Sequence, residues 1–283
     1  MEFMMQNSLP SDLKNHYDAN GYYFPLPVLD ETELQELQRS FFEFYDKNKE
    51  RLQSLAPRDQ YQILSETHLS VPWVYRLAVH RRILAAVEAI LGHDLLIWGS
   101  RWFTKMPGDT TYISWHQDAT YWALNPPQVT TAWVALSESG PENGCMRVLP
   151  GSHKGGLMPQ IDTYAADNAL SRGQEIAAEV DESEALDLVL RPGEMSLHHI
   201  GIVHGSQVNH SLKPRIGIAI RYITPAVVQE THEKPVAVLA QGLDTYGNFE
   251  LLPPPDDSGI DLQEIQSTAA RRMMKSILPG KRN

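Results

Sequence analysis

The chain has 283 residues, 42% of them hydrophobic and 21% charged, with a formal net charge of −11 and a single cysteine. That is the profile of a globular protein able to bury a substantial core, not of a disordered chain. The acidic balance argues against nucleic acid as a partner, since such binding needs a cationic surface; it leaves a small anionic ligand open, because the local field outweighs the total.

No stretch approaches the ~20 apolar residues of a membrane helix, and residues 1–7 lack the charged and long apolar regions of a signal peptide, so neither a membrane nor a secretory route is expected. Cys145, the lone thiol, excludes an internal disulfide and reads as a small packing residue. A reducing cytosol is the expected compartment.

In chain order, residues 11–21 are expected to form a short helix, with Ser11 as N-cap and Gly21 as C-cap. A strand is expected over 22–26. A helix over 30–45 follows, capped by Asp30 or Thr32, with Leu34, Leu37, Phe41 and Phe44 at helical spacing. A further helix spans 81–91 and stops at Gly92. From residue 95 to about 221 the pattern changes to short strands between Gly and Pro turns, as in a jelly roll. Strands are expected over 95–98, 102–105, 111–116, 130–136, 146–148, 186–190, 195–199 and 216–223. Polar residues 154–185 read as a long insertion of the kind that forms lids. Residues 225–255 read as irregular and Pro-rich, and Arg271-Arg272-Met273-Met274-Lys275 as a terminal basic helix. One domain is expected over 1–283: a helical part over 10–92, a jelly-roll core over about 95–225 and an extension over 226–283.

The segment Trp115-His116-Gln117-Asp118 carries the chemistry. In an extended strand, side chains two apart share a face, so His116 and Asp118 are expected to offer an imidazole and a carboxylate to one point. A second His from a distant strand would complete the two-His, one-carboxylate face that holds Fe(II) with open positions. A second His-x-Asp, His16-Tyr17-Asp18, falls in the first helix, where such residues do not face each other, and reads as structural. Along 215–222, Ile216, Ile218 and Ile220 alternate with Arg215, Gly217, Ala219 and Arg221. The two small residues between two Arg are expected to leave room for a ligand, and Arg215 can grip a carboxylate bidentately.

The order and spacing of Trp115-His116-Gln117-Asp118, Ala132-Trp133, residues 143–153, His199, His204-Gly205-Ser206 and Arg215 resemble the phytanoyl-CoA dioxygenase family, over roughly residues 10–225. The resemblance implies a mainly β fold, a double-stranded β-helix with flanking N-terminal helices. It also implies Fe(II) on His116, Asp118 and His204, 2-oxoglutarate on Arg215 with Ser206 and Trp133, and O2 as oxidant. Thr131 shares the face of Trp133. Related halogenases replace the carboxylate of the triad with a small residue, so Asp118 argues for hydroxylation, or for a desaturation or cyclisation that begins with the same hydrogen removal.

Tyr121, Trp122, Trp102, His68 and Arg221 are candidates to line a substrate pocket, with Trp73 and Tyr112 behind them. Nothing reads as a CoA site, so the expected substrate is a small or medium polar metabolite, natural-product intermediates included. His199 is expected to pack near the site, and His153, His198 and His210 to be surface or structural residues. The competing readings are a non-catalytic metal-binding barrel, which would not need Arg215, and a Zn or Mn enzyme on the same triad, which would not need a 2-oxoglutarate anchor.

Overall fold

Strand and helix boundaries follow local chemistry closely at the N-terminal end of the computed structural model, which describes residues 8–55, 60, 64–230 and 234–256. Helix α1 (Leu13–Asn20) ends at Gly21 and leads into strand β1 (Tyr22–Pro27). The cap of α1 is Asp12 and not Ser11, with no side-chain cap bond. Helix α2 (Glu31–Gln53) begins with a capping box: Asp30 accepts from the Glu33 N–H, and the Glu33 carboxylate accepts from the Asp30 N–H. Helix α3 (Pro72–Ala78), absent from the sequence expectations, starts on a proline at its first turn, and α4 (Arg81–Leu91) follows.

The remaining strands are β2 (Leu95–Lys105), β3 (Ile113–His116), β4 (Leu124–Asn125), β5 (Val129–Ala135), β6 (Met146–Val148), β7 (Gln160–Asp162), β8 (Gln174–Ile176), β9 (Leu186–Asp187), β10 (Glu194–His199), β11 (His204–Ser206), β12 (Arg215–Ile223), β13 (Val228–Gln229), β14 (Val236–Gln241) and β15 (Glu250–Leu251). A one-turn helix α5 (Ala119–Trp122) follows β3. Two sheets make the double-stranded β-helix. The larger has the order β1-β10-β5-β12-β2-β14-β15, and the smaller β3-β11-β6-β9.

The alternation along β12 sorts the two faces of the larger sheet. Ile216, Ile218 and Ile220, with Val134, Met195 and Leu197, pack under the helices against Leu13, Phe41, Ile83 and Val87. The opposite face looks into the barrel, where Phe103, Trp133, Ala135 and Ala219 meet Met146 and Val148 of the smaller sheet. Burial of the first face stabilises by roughly 25 cal/mol per Å² of apolar surface, and it seats the helices on one side only, leaving the interior for a site.

Three expectations are corrected. β2 is one continuous strand instead of two: Gly99, Ser100 and Arg101 stay in register with β12, and a bulge absorbs the irregularity beside Gly99. Residues 225–255 are not irregular throughout, since β14 joins the larger sheet beside β2. Within the insertion over 154–185, β7 and β8 pair as a two-stranded unit. The basic helix expected at 271–275 lies outside the described residues. No helix among the described residues is long and apolar enough to cross a membrane.

Candidate active site

β3 and β11 are neighbours in the smaller sheet, and His116 sits directly opposite His204. Their rings lie 4.1 Å apart between centroids. Each Nδ1 is tied to a backbone carbonyl two residues earlier: His116 to Ser114 at 2.9 Å, His204 to Ile202 at 3.1 Å. A carbonyl only accepts, so Nδ1 carries the proton and Nε2 keeps its lone pair for a metal. Asp118 completes the group, with its Oδ1 3.5 Å from His116 Nε2. Ligand atoms of the three residues lie within 4.8 Å of one another, and among the described residues they form the one such cluster of His, Cys, Asp and Glu side chains.

The route by which Asp118 arrives differs from the expected one. β3 ends at His116, and Asp118 has helical dihedrals as the residue before α5. A turn, not strand alternation, carries the carboxylate to the imidazoles. Gln117 holds that turn. It is fully buried, its amide donates to the carbonyls of Gly201 (2.7 Å) and Gly156 (3.0 Å), and its Oε1 accepts from Met158 N–H (2.8 Å). One side chain thus ties the metal motif to the loop before His204 and to the insertion.

The electrostatics suit a cation. Burial and the neighbouring His116 hold His204 well below the ordinary histidine range, so it is the neutral ligand form. Burial alone would raise Asp118, but the contact with His116 and the nearby charge of Arg221 outweigh it and hold Asp118 well below the usual carboxylate range. The His116 Nε2 lone pair and the Asp118 carboxylate face each other at 3.5 Å, and a divalent cation could be shared between them. Imidazole and carboxylate together suit Fe(II).

Further into the barrel, Arg215 stands opposite Lys105 on β2, and both are buried. Ser206 Oγ lies between them, accepting from Lys105 Nζ at 2.6 Å and Arg215 at 2.9 Å, and donating to Gly144 O at 2.8 Å. Arg215 also donates to the Gly144 carbonyl, and Lys105 to that of Gln207. Gly144 has φ +71°, and a Cβ there would sit 2.1 Å from Gln207 O, so the close approach requires glycine. Trp133 lies under the guanidinium, 5.4 Å from ring centre to Cζ. Two buried cations side by side are costly unless an anion joins them. Burial and the Arg215 charge accordingly push Lys105 down to about 6. A dicarboxylate such as 2-oxoglutarate meets this need.

The room expected above Gly217 is not ligand space: a Cβ there would lie 2.3 Å from the Trp133 indole, so glycine makes way for that ring. Thr131 lies opposite Arg221 and His198, and its hydroxyl is buried without a hydrogen bond. Trp122 and Tyr121 follow the metal motif and are buried, with Arg221 over Trp122 (4.8 Å) and Arg172 over Tyr121 (4.6 Å). Trp102 is not brought to the site. It shares the helix-facing side of β2 with Thr104, packs 4.8 Å from Phe41 and 5.6 Å from Trp73, and donates to Thr67. His68 is buried at the β2 margin, hydrogen-bonded to Ser100, and burial lowers it to about 3.

His198, expected at the surface or in a structural role, lies inside the barrel with its ring 5.1 Å from His204. His199 points the other way, toward His153 and Tyr17. His210 is exposed. Cys145 is buried and burial pushes its thiol up to about 12, which leaves it unreactive. His16 packs edge-on against Tyr22 and Tyr23, and Asp18 pairs with Lys14 on the surface of α1. Sequence reasoning missed Lys105, Gln117 and His198. A strand-end lysine carries no signal until the register sets it opposite Arg215.

If Lys105 helps to hold the distal carboxylate, Lys105→Met should raise the 2-oxoglutarate requirement by roughly tenfold, the loss of about one charge-assisted contact. The measurement is the 2-oxoglutarate dependence of succinate release. An unchanged dependence would remove Lys105 from the pocket.

A double-stranded β-helix with a two-His, one-carboxylate face and an interior dicarboxylate anchor defines a class: the 2-oxoglutarate-dependent non-haem iron oxygenases. Residues 17–217 match the family model described as Phytanoyl-CoA dioxygenase (PhyH), and the chain belongs to that family. It is 28% identical over 183 residues to a Stutzerimonas stutzeri protein described as a probable alpha-ketoglutarate-dependent hypophosphite dioxygenase, a match covering 64% of this chain and 61% of that one. It is 24% identical to the human peroxisomal phytanoyl-CoA dioxygenase, over 76% of this chain and 69% of the human protein. Among solved structures, apo ThoJ, a non-heme monooxygenase, superposes with a TM-score of 0.79 at 31% identity, covering 94% of this chain and 97% of its own. The chain is a 2-oxoglutarate-dependent non-haem iron dioxygenase, with Fe(II), 2-oxoglutarate and O2 as its cofactor and co-substrates.

Proposed function

We propose that this enzyme hydroxylates an aliphatic carbon of a small or medium polar metabolite, natural-product intermediates included, releasing succinate and carbon dioxide. The observation that carries this reading is the closure of His116, Asp118 and His204 on one point, beside a buried Arg215–Ser206–Lys105 anchor. Iron and 2-oxoglutarate, when bound, supply the chemistry that activates O2 and removes hydrogen from carbon.

The chain's own residues do the rest. His116 and His204 present Nε2 because their Nδ1 protons are held by carbonyls. Arg215 and Lys105 neutralise and orient the distal carboxylate, and Trp133 fixes the guanidinium from below. Insertion residues close over the motif: Gln160 donates to Thr120 Oγ1 at 2.7 Å, and Asn168 to Ser114 Oγ at 2.8 Å. That cover limits water at the reacting centre. The absence of a recognisable CoA-binding sequence and the likeness to a protein named for hypophosphite both favour a small polar substrate.

Asp118 supports oxygen transfer over halogen transfer, because its carboxylate fills the position a halide would need. Turnover under labelled oxygen gas with chloride present should give a product that has gained one labelled oxygen atom. A chlorinated product would refute the reading, and a product lighter by two hydrogens would replace hydroxylation with desaturation or ring closure.

A further inference from the structure

Arg221 enters the barrel without a counter-ion among the described residues. It shares the interior face of β12 with Arg215 and lies opposite Gly99 on β2 and Thr131 on β5. Gly99 itself contributes no side chain there. The guanidinium lies 4.8 Å above the Trp122 ring, in cation–π contact. Its Nε is enclosed and makes no hydrogen bond. Among the described residues no carboxylate lies within ion-pair distance of it, whereas Arg82, Arg147, Arg172 and Arg191 each have one.

The groups within electrostatic reach do not answer the charge. Arg221 acts on Asp118, Glu66, His68 and His198. Asp118 is a candidate metal ligand, and its charge is taken up there. Glu66 is buried and turned to the backbone N–H of Ser100 at 3.1 Å. Burial raises Glu66 to about 7 in spite of Arg221 and Arg101, so it is far from fully ionised near neutrality. Burial lowers His68 to about 3 and His198 to about 4, so both are neutral. What remains is a cation beside the metal face, with an aromatic wall on one side.

Arg221 is half-buried; a partly desolvated guanidinium gains from a partner, and its planar fork matches the two oxygens of an acid group. We propose that Arg221 is the substrate-recognition residue of this site, and that the substrate carries an oxyacid group, a carboxylate or a phosphorus oxyacid, which pairs with Arg221 against the Trp122 ring. This rests on the oxygenase reading above and names the substrate class within it. Because Arg221 and His198 both lie opposite Thr131, and the His198 ring is 5.1 Å from that of His204, the acid group and the oxidised bond lie close together in the substrate.

The test uses the full chain, loaded anaerobically with Fe(II) and 2-oxoglutarate so that the Arg215 anchor is filled. Loading of wild type and each variant is read first from the visible band of the chelate. Acetate, methylphosphonate and the neutral probe acetamide are then titrated by calorimetry in chloride-free buffer. Saturable binding of acetate or methylphosphonate is expected, with acetamide at least tenfold weaker; which acid binds better separates carboxylate from phosphorus oxyacid. Arg221→Met should weaken the preferred acid by roughly tenfold or more, the loss of a charge-assisted contact at a half-buried site. Arg221→Lys should restore part of it, and carries the test if the methionine variant does not fold. A loaded protein that binds both acids no better than acetamide, or an Arg221→Met protein that binds them as wild type does, overturns the inference. A missing band in wild type instead fails the oxygenase reading and takes this inference with it.

Discussion

His116→Ala and His204→Ala should each abolish turnover while leaving the barrel folded. Each removes one of three candidate metal ligands, so the loss should exceed the roughly 10–100-fold that follows from disturbing a ligand's supporting partner. The structural cost is smaller. Each substitution deletes one Nδ1–carbonyl hydrogen bond, worth about 1 kcal/mol, and a modest buried volume. Thermal unfolding should therefore stay cooperative while iron content and succinate release fall to background. The control is His16→Ala, in the other His-x-Asp segment. His16 packs on Tyr22 and Tyr23 at α1, remote from the cluster, and its loss should leave activity in place. An inactive His16→Ala protein beside an active His116→Ala protein would show that the wrong motif had been chosen.

Arg215→Ala should raise the 2-oxoglutarate requirement strongly. Arg215 is 2% exposed, and its removal would leave a bound carboxylate facing Lys105 and Ser206 alone. Loss of one partner of a buried charge pair commonly costs ~2–5 kcal/mol, or roughly 30-fold or more in apparent affinity. Succinate formation against 2-oxoglutarate concentration measures it. An unchanged requirement would move the anchor elsewhere, and Arg221 would be the first residue to test.

How much of this was legible in the sequence depends on whether a residue's role is local. Asp30, one of two cap candidates with Thr32, and the Gly21 and Gly92 helix ends could be read directly, because their partners are a few residues away. The alternation along β12 sorted Arg215 and Arg221 from Ile216, Ile218 and Ile220 without knowledge of the neighbouring strands. Reading β2 as two strands lost its parity: in the continuous strand Trp102 alternates with Arg101 and Phe103 and faces the helices, so it left the list of pocket residues. Gly99-Ser100-Arg101 are poor strand formers in isolation, and pairing with β12 overrides that preference. β14 was hidden by the prolines around it and is held by pairing with Leu95, Leu96 and Ile97.

The candidate site divides the same way. His116, Asp118, His204 and Arg215 were identifiable from spacing and family likeness, but the reason Asp118 reaches the imidazoles is the turn held by Gln117, which no periodicity reveals. Lys105 became visible only through its register with Arg215, and His198 only through its register with Thr131. Each depends on which strand lies beside which, and that is information carried by the whole sheet.

The most direct measurement is anaerobic titration of the iron-loaded chain with 2-oxoglutarate. Wild type should develop the weak visible charge-transfer band of an Fe(II)–2-oxoglutarate chelate, saturating at one 2-oxoglutarate bound per iron, with one iron per chain. His116→Ala and His204→Ala should not develop it, and Arg215→Ala should do so only at much higher 2-oxoglutarate. A folded, iron-loaded wild-type chain that shows no such band would contradict the assignment of His116, Asp118 and His204 as the iron face and Arg215 as the anchor.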